Sequence, residues 1–348
     1  MAKFPSSRNV DPQPQQGDEG PREEAIRPRN LQEFVGQKQV VDNLRVFIHA
    51  ARTRREPLDH ILFSGMPGLG KTTLACLVAE EMGVGFRATS GPVLERANDL
   101  VGILTDLSEG DVLFIDEIHR LNRVVEEYLY PAMEDFCVDI MIDQGPNARS
   151  AKIHLRPFTL VAATTREGNL TAPFRARFGI QEKVEPYPPE DMERILHRSA
   201  RILGIDLAAD GAAILARRCR GTPRIANRYL RRVRDFAAVD GHARIDAKVA
   251  TDSLARLGVD DLGLDQVDRR ILHIVSRSRG IPVGVKTISV SVGEDERTIE
   301  EVYEPYLIRC GFLEKTPRGR MLGPQASLVP GLDAPLSPGP LFDNLYTE

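Results

Sequence analysis

Short unbroken apolar runs alternate with longer amphipathic stretches through the first half of the chain. Ile61-Leu62-Phe63, Val112-Leu113-Phe114-Ile115 and Phe158-Thr159-Leu160-Val161-Ala162-Ala163 lack polar alternation, the pattern of strands buried on both faces. Phe86-Arg87-Ala88-Thr89 and residues 181–184 add two weaker candidate strands. Val41, Leu44, Phe47 and Ile48 recur at helical spacing within 38–54, and helices are also predicted over 72–82, 93–104 and, briefly, 169–178. Strands and helices in alternation predict an α/β domain around a parallel five-stranded sheet. One segment departs from this rhythm: residues 138–155 predict a β-hairpin with its turn at Gly145-Pro146-Asn147. Ile140 and Ile142 share a face of it, which either packs on the parent domain or is offered to a partner.

The pattern changes at Tyr187-Pro188-Pro189, which reads as a domain boundary. Beyond it, helices are predicted over 191–203, 207–219, 223–239 and 246–257. Thr222-Pro223 reads as an N-cap followed by proline at the first helical position, which puts Arg224 in the opening turn. Eight arginines fall between Arg217 and Arg234 with no acid among them, the usual mark of a solvated basic face. A third unit follows: a helix over 268–278, a second segment over 285–292, and a helix over 298–310 with Ile299, Val302, Tyr306 and Leu307 on one side. Residues 312–322 form a predicted hairpin with a basic tip, so this unit reads either as a winged helix whose wing meets DNA phosphates or as a module with an exposed basic turn. The expected division is a disordered tail over 1–22, an α/β core over 23–188, a helical domain over 189–260, a winged helix over 261–322 and a flexible tail over 323–348.

Composition narrows the class. A chain of 348 residues with 42% apolar content supports two or three cores, and no apolar run approaches the roughly 20 residues that cross a bilayer. With no secretory signal, a cytoplasmic location is expected. Cys76, Cys137, Cys219 and Cys310 offer no Cys-x-x-Cys pair, so neither a zinc site nor a disulfide framework is expected. A net charge of −4 argues against coating nucleic acid by bulk attraction and leaves only local basic patches.

The chemistry concentrates after the first strand. Gly65-Met66-Pro67-Gly68-Leu69-Gly70-Lys71-Thr72 has the Gly-x-x-x-x-Gly-Lys-Thr spacing of a phosphate loop, lying between a strand and a helix as that motif requires. Its backbone N–H groups and the helix N-terminus suit ATP phosphates, with Lys71 on the β- and γ-phosphates, Thr72 on Mg²⁺ and Thr73 on the α/β-phosphates. The strand over 112–115 ends in Asp116-Glu117. At the carboxyl end of a parallel strand, Asp116 is suited to Mg²⁺ and Glu117 to polarising the attacking water. Thr164-Thr165 ends another strand and can orient that water.

Together these strings resemble AAA+ ATPases. Ile115-Asp116-Glu117-Ile118-His119-Arg120-Leu121, Ala163-Thr164-Thr165-Arg166, Gly221-Thr222-Pro223-Arg224-Ile225-Ala226-Asn227-Arg228 and Thr316-Pro317-Arg318-Gly319-Arg320-Met321 are similar to those of the RuvB family, bacterial motors of Holliday-junction branch migration. The resemblance spans about residues 26–322. It implies an ATP-driven hexameric ring on duplex DNA at four-way junctions, serving homologous recombination and DNA repair with RuvA, and with RuvC for resolution. It implies further that Arg177 is an arginine finger for the neighbouring subunit, Arg224 the lid sensor, and Thr165, with Thr164 as the alternative, the sensor of the core. Ile26, Arg27 and Tyr187 would lie around adenine and ribose, Glu134-Asp135-Phe136 near nucleotide, the 138–155 hairpin on RuvA, and Lys315, Arg318 and Arg320 on DNA. Met66 stands where the family usually has proline, and Lys315 where arginine is common, keeping the charge without the fork. The alternatives are a clamp-loader-like switch in DNA replication, an operator-reading regulator and a small-molecule kinase. The first commonly carries Ser-Arg-Cys where this chain has Ala176-Arg177-Phe178, the second needs a less acidic helix than 298–310, and the third leaves the lid arginine and the third domain unexplained.

Overall fold

The apolar runs pair with one another as the strands of a single sheet. The computed structural model describes residues 25–141 and 150–332 and divides them into two units. The first comprises the chain up to Phe34, Gln39–Ser64 and Lys71–Lys183; the second comprises Val35–Lys38, Gly65–Gly70 and the chain from Val184 onward. The expected tail over 1–22, the hairpin turn at Gly145-Pro146-Asn147, Ile142, and the tail beyond 332 lie outside the described residues.

In the first unit the elements run α1 (Lys38–Arg54), β1 (Ile61–Ser64), α2 (Lys71–Met82), β2 (Phe86–Ser90), α3 (Ala97–Thr105), β3 (Val112–Asp116), α4 (Arg123–Glu134), β4 (Cys137–Met141), β5 (Ser150–His154), β6 (Thr159–Thr164), α5 (Ala172–Arg175) and β7 (Ile180–Lys183). The five-stranded sheet is parallel, in the order β2-β3-β6-β1-β7. The unbroken apolar runs are its three inner strands, and the weaker candidates are its edges, where one face meets solvent. Ser64 pairs with Thr164 and Ile115 with Ala162, so β1, β6 and β3 end side by side.

Two local readings shift. The helix expected over 93–104 is α3, which starts later because Gly91-Pro92-Val93 forms a 3₁₀ turn and the Asp99 carboxylate accepts the Arg96 N–H at 3.0 Å. Phe47 was expected on the buried face of α1, but that face is Val40, Val41, Leu44, Ile48 and Ala51, and Phe47 is exposed. The strands of the expected hairpin are β4 and β5, antiparallel. Val138 is buried in the unit's core and Ile140 is half-buried against it.

His60 is a core residue that no periodicity singles out. Its Nδ1 accepts the Leu160 N–H at 2.9 Å and its Nε2 faces the Met133 carbonyl at 3.1 Å, with Phe136 and Phe158 against the ring.

The second unit carries α6 (Pro189–Leu203), α7 (Ala209–Arg218), α8 (Pro223–Val239) and α9 (Ala247–Arg256), then α10 (Gln266–Arg277), α11 (Val285–Val292), α12 (Glu296–Thr298), α13 (Glu304–Arg309), β8 (Leu313–Thr316) and β9 (Gly319–Leu322). α11 is helical despite its β-branched residues: it lies between Gly284 and a left-handed Gly293, and buries Ile288 and Val292 four residues apart. The single helix expected over 298–310 is broken by a π-turn at Ile299–Tyr303, because Pro305 has no N–H to continue the ladder and the Glu304 N–H reaches back to Ile299. β8 and β9 form the expected hairpin, and Val283 adds a third strand position through two 2.8 Å hydrogen bonds with Arg320. Residues 323–329 correct the expected flexible tail: Ala326 is fully buried and Val329 packs in the winged-helix core.

The arginine run of 217–234 is not a uniformly solvated face. Arg218 is buried against Asp261, and Arg220, in a left-handed backbone, is buried against Asp265 and Asp268 with Tyr306 beneath its guanidinium. Arg309 donates to the Arg220 carbonyl at 2.6 Å. Among the described residues no helix is long and apolar enough to cross a membrane.

Burial holds the His60 pKa below its ordinary 6.5, against the raising effects of the Met133 carbonyl and Asp59, so the native ring stays neutral where the unfolded ring gains a proton. Its contribution to stability is therefore full above the unfolded value and lost as pH falls below it. Thermal melts taken from about pH 7.5 down to about pH 5.5 should show a falling midpoint, and His60→Gln should flatten that slope. An equal slope in both proteins would refute the assignment.

Candidate functional site

Parallel β1, β6 and β3 deliver their carboxyl ends to one edge of the first unit, and the polar residues gather there. Lys71, Thr72 and Thr73 form the first turn of α2, with Lys71 buried. β3 ends at Asp116, whose Oδ1 accepts the Glu117 N–H at 2.9 Å. Glu117 then takes a left-handed conformation, φ 49° and ψ 43°, which turns the strand sharply into the 3₁₀ turn Ile118–Arg120. That conformation costs a non-glycine residue about 1–3 kcal/mol and persists only where the surroundings enforce it.

The surroundings are β6 and a histidine. Thr165 lies 3.4 Å, through its hydroxyl, from Glu117 Oε2. His119 Nε2 is also 3.4 Å from that oxygen, and its Nδ1 is 3.0 Å from the Thr164 hydroxyl. Thr164 Oγ1 in turn accepts the Arg166 N–H at 3.0 Å. The two threonines thus divide: Thr165 touches the candidate base directly, and Thr164 is buried behind it. His119 is the member of this cluster that sequence reasoning missed. Its one signal is its place two residues after Glu117 in a turn.

Arg177 is held within the first unit by three groups. Its guanidinium lies 4.2 Å over the Tyr130 ring, its Nη1 donates to the Pro173 carbonyl at 2.7 Å, and its Nε is 3.1 Å from Glu134 Oε1. The last contact is Coulombic only, since the Nε–H is not aimed at the carboxylate. Glu134 is more than half exposed, so this pair is worth at most about 1 kcal/mol. Asp135 is exposed, while Phe136 is turned into the core by a left-handed backbone and packs edge-on against His60 and Phe158. Ile26 is buried, and Arg27 lies close enough to α2 to lower the Cys76 pKa, although burial raises it on balance.

In the second unit the phosphate-loop segment Gly65–Gly70 packs on Tyr187 and the start of α8. Tyr187 donates its hydroxyl to the Leu69 carbonyl at 3.0 Å and its N–H to Gly221 at 2.9 Å. The Arg224 N–H points at the Gly68 carbonyl, 3.4 Å away. Gly68 has φ +78°, and a Cβ there would come within 2.9 Å of the Arg224 Cβ, so the close approach requires glycine. Thr222 does occupy the N-cap position with Pro223 next, but its side chain caps no N–H of the helix. Gly68 meets the Arg224 N–H instead.

At the wing, Lys315 and Arg320 pair across β8 and β9 and share carboxylates of the preceding helix. Lys315 Nζ is 3.3 Å from Glu300 and 3.9 Å from Glu304, with its side chain half-exposed. Arg320 is buried: it bonds Glu304 at 2.6 Å and Glu300 at 2.9 Å. Burial opposes its charge, but the two carboxylates outweigh that and raise its pKa. Of the three wing cations expected on DNA, Arg320 is the one that ties the wing to its helix. Arg318 is exposed at the turn.

Among the described residues no cluster of three or more His, Cys, Asp or Glu side chains forms a metal cage. A hydroxyl at Thr72 and a carboxylate at Asp116 are the sparse donor set that Mg²⁺ takes when phosphates and water complete its shell.

Residues 26–184 match the Holliday junction DNA helicase RuvB P-loop domain, 187–260 the RuvB AAA lid domain and 261–329 the RuvB C-terminal winged helix domain. The Holliday junction branch migration complex subunit RuvB of Myxococcus xanthus is 62% identical over 300 residues, covering 86% of this chain and 88% of that one. The corresponding subunit of Chlorobium luteolum is 57% identical over 322 residues, covering 92% and 94%. Among solved structures, the Thermotoga maritima RuvB Holliday junction branch migration motor superposes with a TM-score of 0.79 at 45% identity, covering 87% of this chain and 97% of that one. Five variants of that motor are also solved, with a lysine, a proline, an alanine, a threonine and an arginine singly replaced. With all three of its domains matched in order, the chain belongs to the RuvB family of AAA+ P-loop ATPases.

Proposed function

We propose that ATP hydrolysis at the phosphate loop drives this chain, as a hexameric ring, along duplex DNA at a four-way junction. The family's activity is branch migration of Holliday junctions, and a replication clamp-loader role is not favoured. The observation that carries the residue-level reading is the Glu117 carboxylate, held in a left-handed turn by Thr165 beside the phosphate-loop strand. Glu117 polarises the attacking water, and Thr165 orients both. Lys71 and the loop N–H groups cradle the phosphates with Thr73, and Gly68, Gly70 and Arg224 line the loop. Thr72 and Asp116 would hold Mg²⁺, which when bound neutralises phosphate charge. Ile26, Arg27 and Tyr187 lie around the base and sugar, with Glu134, Asp135 and Phe136 near the nucleotide.

Arg177 serves the neighbouring subunit. In support, its present partners are weak and replaceable: a ring face, a carbonyl and an exposed carboxylate. The five replaced positions of the Thermotoga motor fall, under one constant shift, on Lys71, Pro223, Ala163, Thr165 and Arg177, with the same residue type at each. RuvA docks at the β4–β5 hairpin, RuvC joins for resolution, and the work on DNA belongs in the cytoplasm. Lys315 and Arg318 hold DNA phosphates; Arg320 reaches DNA only by leaving Glu304.

Branch migration of a synthetic four-way junction, with ATP and RuvA, tests this reading, and no ATP-dependent strand exchange would refute it. Arg177→Ala should bind ATP nearly as the parent does yet lose about 10³-fold or more in turnover, with partial recovery in rings mixed with Glu117→Gln subunits. Parental turnover by Arg177→Ala alone would exclude the trans finger.

The wing yields a second test. Lys315→Ala and Arg318→Ala should each weaken DNA binding irrespective of sequence and lower the salt slope by about 1. Arg320→Ala should instead destabilise the winged helix by about 3–5 kcal/mol, because it strands the buried Glu304 carboxylate, and calorimetry reads that loss. If Arg320→Ala melts as the parent does, the buried pair is not structural.

A further inference from the structure

His119 has no role in the reading above, yet its side chain is only 2% exposed and both ring nitrogens meet groups of the site. A buried histidine is most simply a satisfied core residue. Here its partners are unusual, because one is the candidate catalytic carboxylate and the other is a hydroxyl on the strand that carries the sensor.

One tautomer uses both ring contacts. Thr164 Oγ1 accepts the Arg166 N–H and, in that tautomer, gives its own hydrogen to His119 Nδ1, 3.0 Å away. Nδ1 is then the acceptor, which leaves the ring hydrogen on Nε2, facing Glu117 Oε2 at 3.4 Å. Thr165 reaches the same oxygen from the next position along the chain. The end of β6 therefore grips Glu117 twice, directly through Thr165 and indirectly through Thr164 and the imidazole. A left-handed conformation at a sharp turn persists only where its surroundings hold it.

We propose that His119 is a positioning residue for ATP hydrolysis: its Nε2–H fixes the Glu117 carboxylate in register with the end of β6, so that the base and the sensor strand move as one. The proposal rests on Glu117 acting as the base. It assigns His119 no contact with ATP and no proton transfer.

The test compares two amides of different reach in the full-length protein, assayed for ATP hydrolysis on junction DNA with RuvA. His119→Gln places an N–H donor near the Nε2 position, whereas the shorter amide of His119→Asn ends near Nδ1 and falls short of Glu117. The Asn variant should lose about 10- to 100-fold in kcat, the rate equivalent of one hydrogen bond to a charged group, with KM for ATP within about 2-fold. The Gln variant should recover most of that loss. In a Glu117→Gln background, His119→Asn should cause no further loss, because positioning without a base has nothing to act on.

Equal kcat for the Asn and Gln variants, or a further loss of 10-fold or more in the Glu117→Gln background, would overturn the proposal. Failure of the underlying reading looks different: Glu117→Gln itself would then hydrolyse ATP at the parental rate. Thermal melts of both amide variants separate lost folding from lost catalysis. If the Asn variant does not fold, Thr164→Val, which removes the partner of Nδ1 at nearly constant volume, replaces it. A kcat for Thr164→Val equal to that of the parent would also overturn the proposal.

Discussion

The order of strands in the parallel sheet is the constraint on which the site depends. β1 delivers the phosphate loop, β3 the carboxylates and β6 the threonines, and only the order β3-β6-β1 sets the threonines beside both. Each inner strand is buried on both faces, so none can slip in register without taking its polar end residues into the core. The buried centre of the sheet thus fixes where Thr164, Thr165 and Glu117 meet. The left-handed turn at Glu117 is tolerable because its cost of about 1–3 kcal/mol is set against a fully packed strand.

The basic residues divide by burial, and that division decides what each can do. Arg218, Arg220 and Arg320 are buried and neutralised by carboxylates, so their charges hold elements together. Lys315 and Arg318 are exposed at the wing. Glu300 and Glu304 lie on the helical segment that a sequence-reading winged helix would present to base edges. Here they are turned toward the wing, where Lys315 and Arg320 engage them. A module arranged this way is suited to gripping a backbone, as a motor indifferent to base identity requires.

Much of this was legible in the sequence, for identifiable reasons. The inner strands are unbroken apolar runs, and the phosphate loop and the Asp116-Glu117 pair are chemical patterns whose spacing reports their role directly. The edge strands read weakly because they are half-exposed. What the sequence did not disclose are relations between segments far apart along it. Nothing near Arg320 shows that Glu304 lies against it, and nothing near Arg220 shows that Asp268 does. His119 was passed over because a histidine in a turn has no periodicity, and its meaning comes from β6, 45 residues away. The break in the helix at Ile299–Tyr303 was missed for a simpler reason, since the apolar spacing runs through it and only Pro305 signals it.

The loop between α7 and α8 joins the two chemistries of the second unit over a very short path. Arg220 is locked to Asp265 and Asp268 at the start of α10, and its carbonyl takes the Arg309 guanidinium from α13. Four residues later the Arg224 N–H faces the Gly68 carbonyl of the phosphate loop. Between them, Gly221 is left-handed and accepts the Tyr187 N–H, and Pro223 has a fixed φ, so the connection has little slack. A flexible linker of the same length would let the lid and the winged helix adjust independently. This one does not: a displacement of Arg224 must either carry the winged-helix anchor at Arg220 with it or break buried ion pairs, and breaking a buried pair costs about 3–5 kcal/mol.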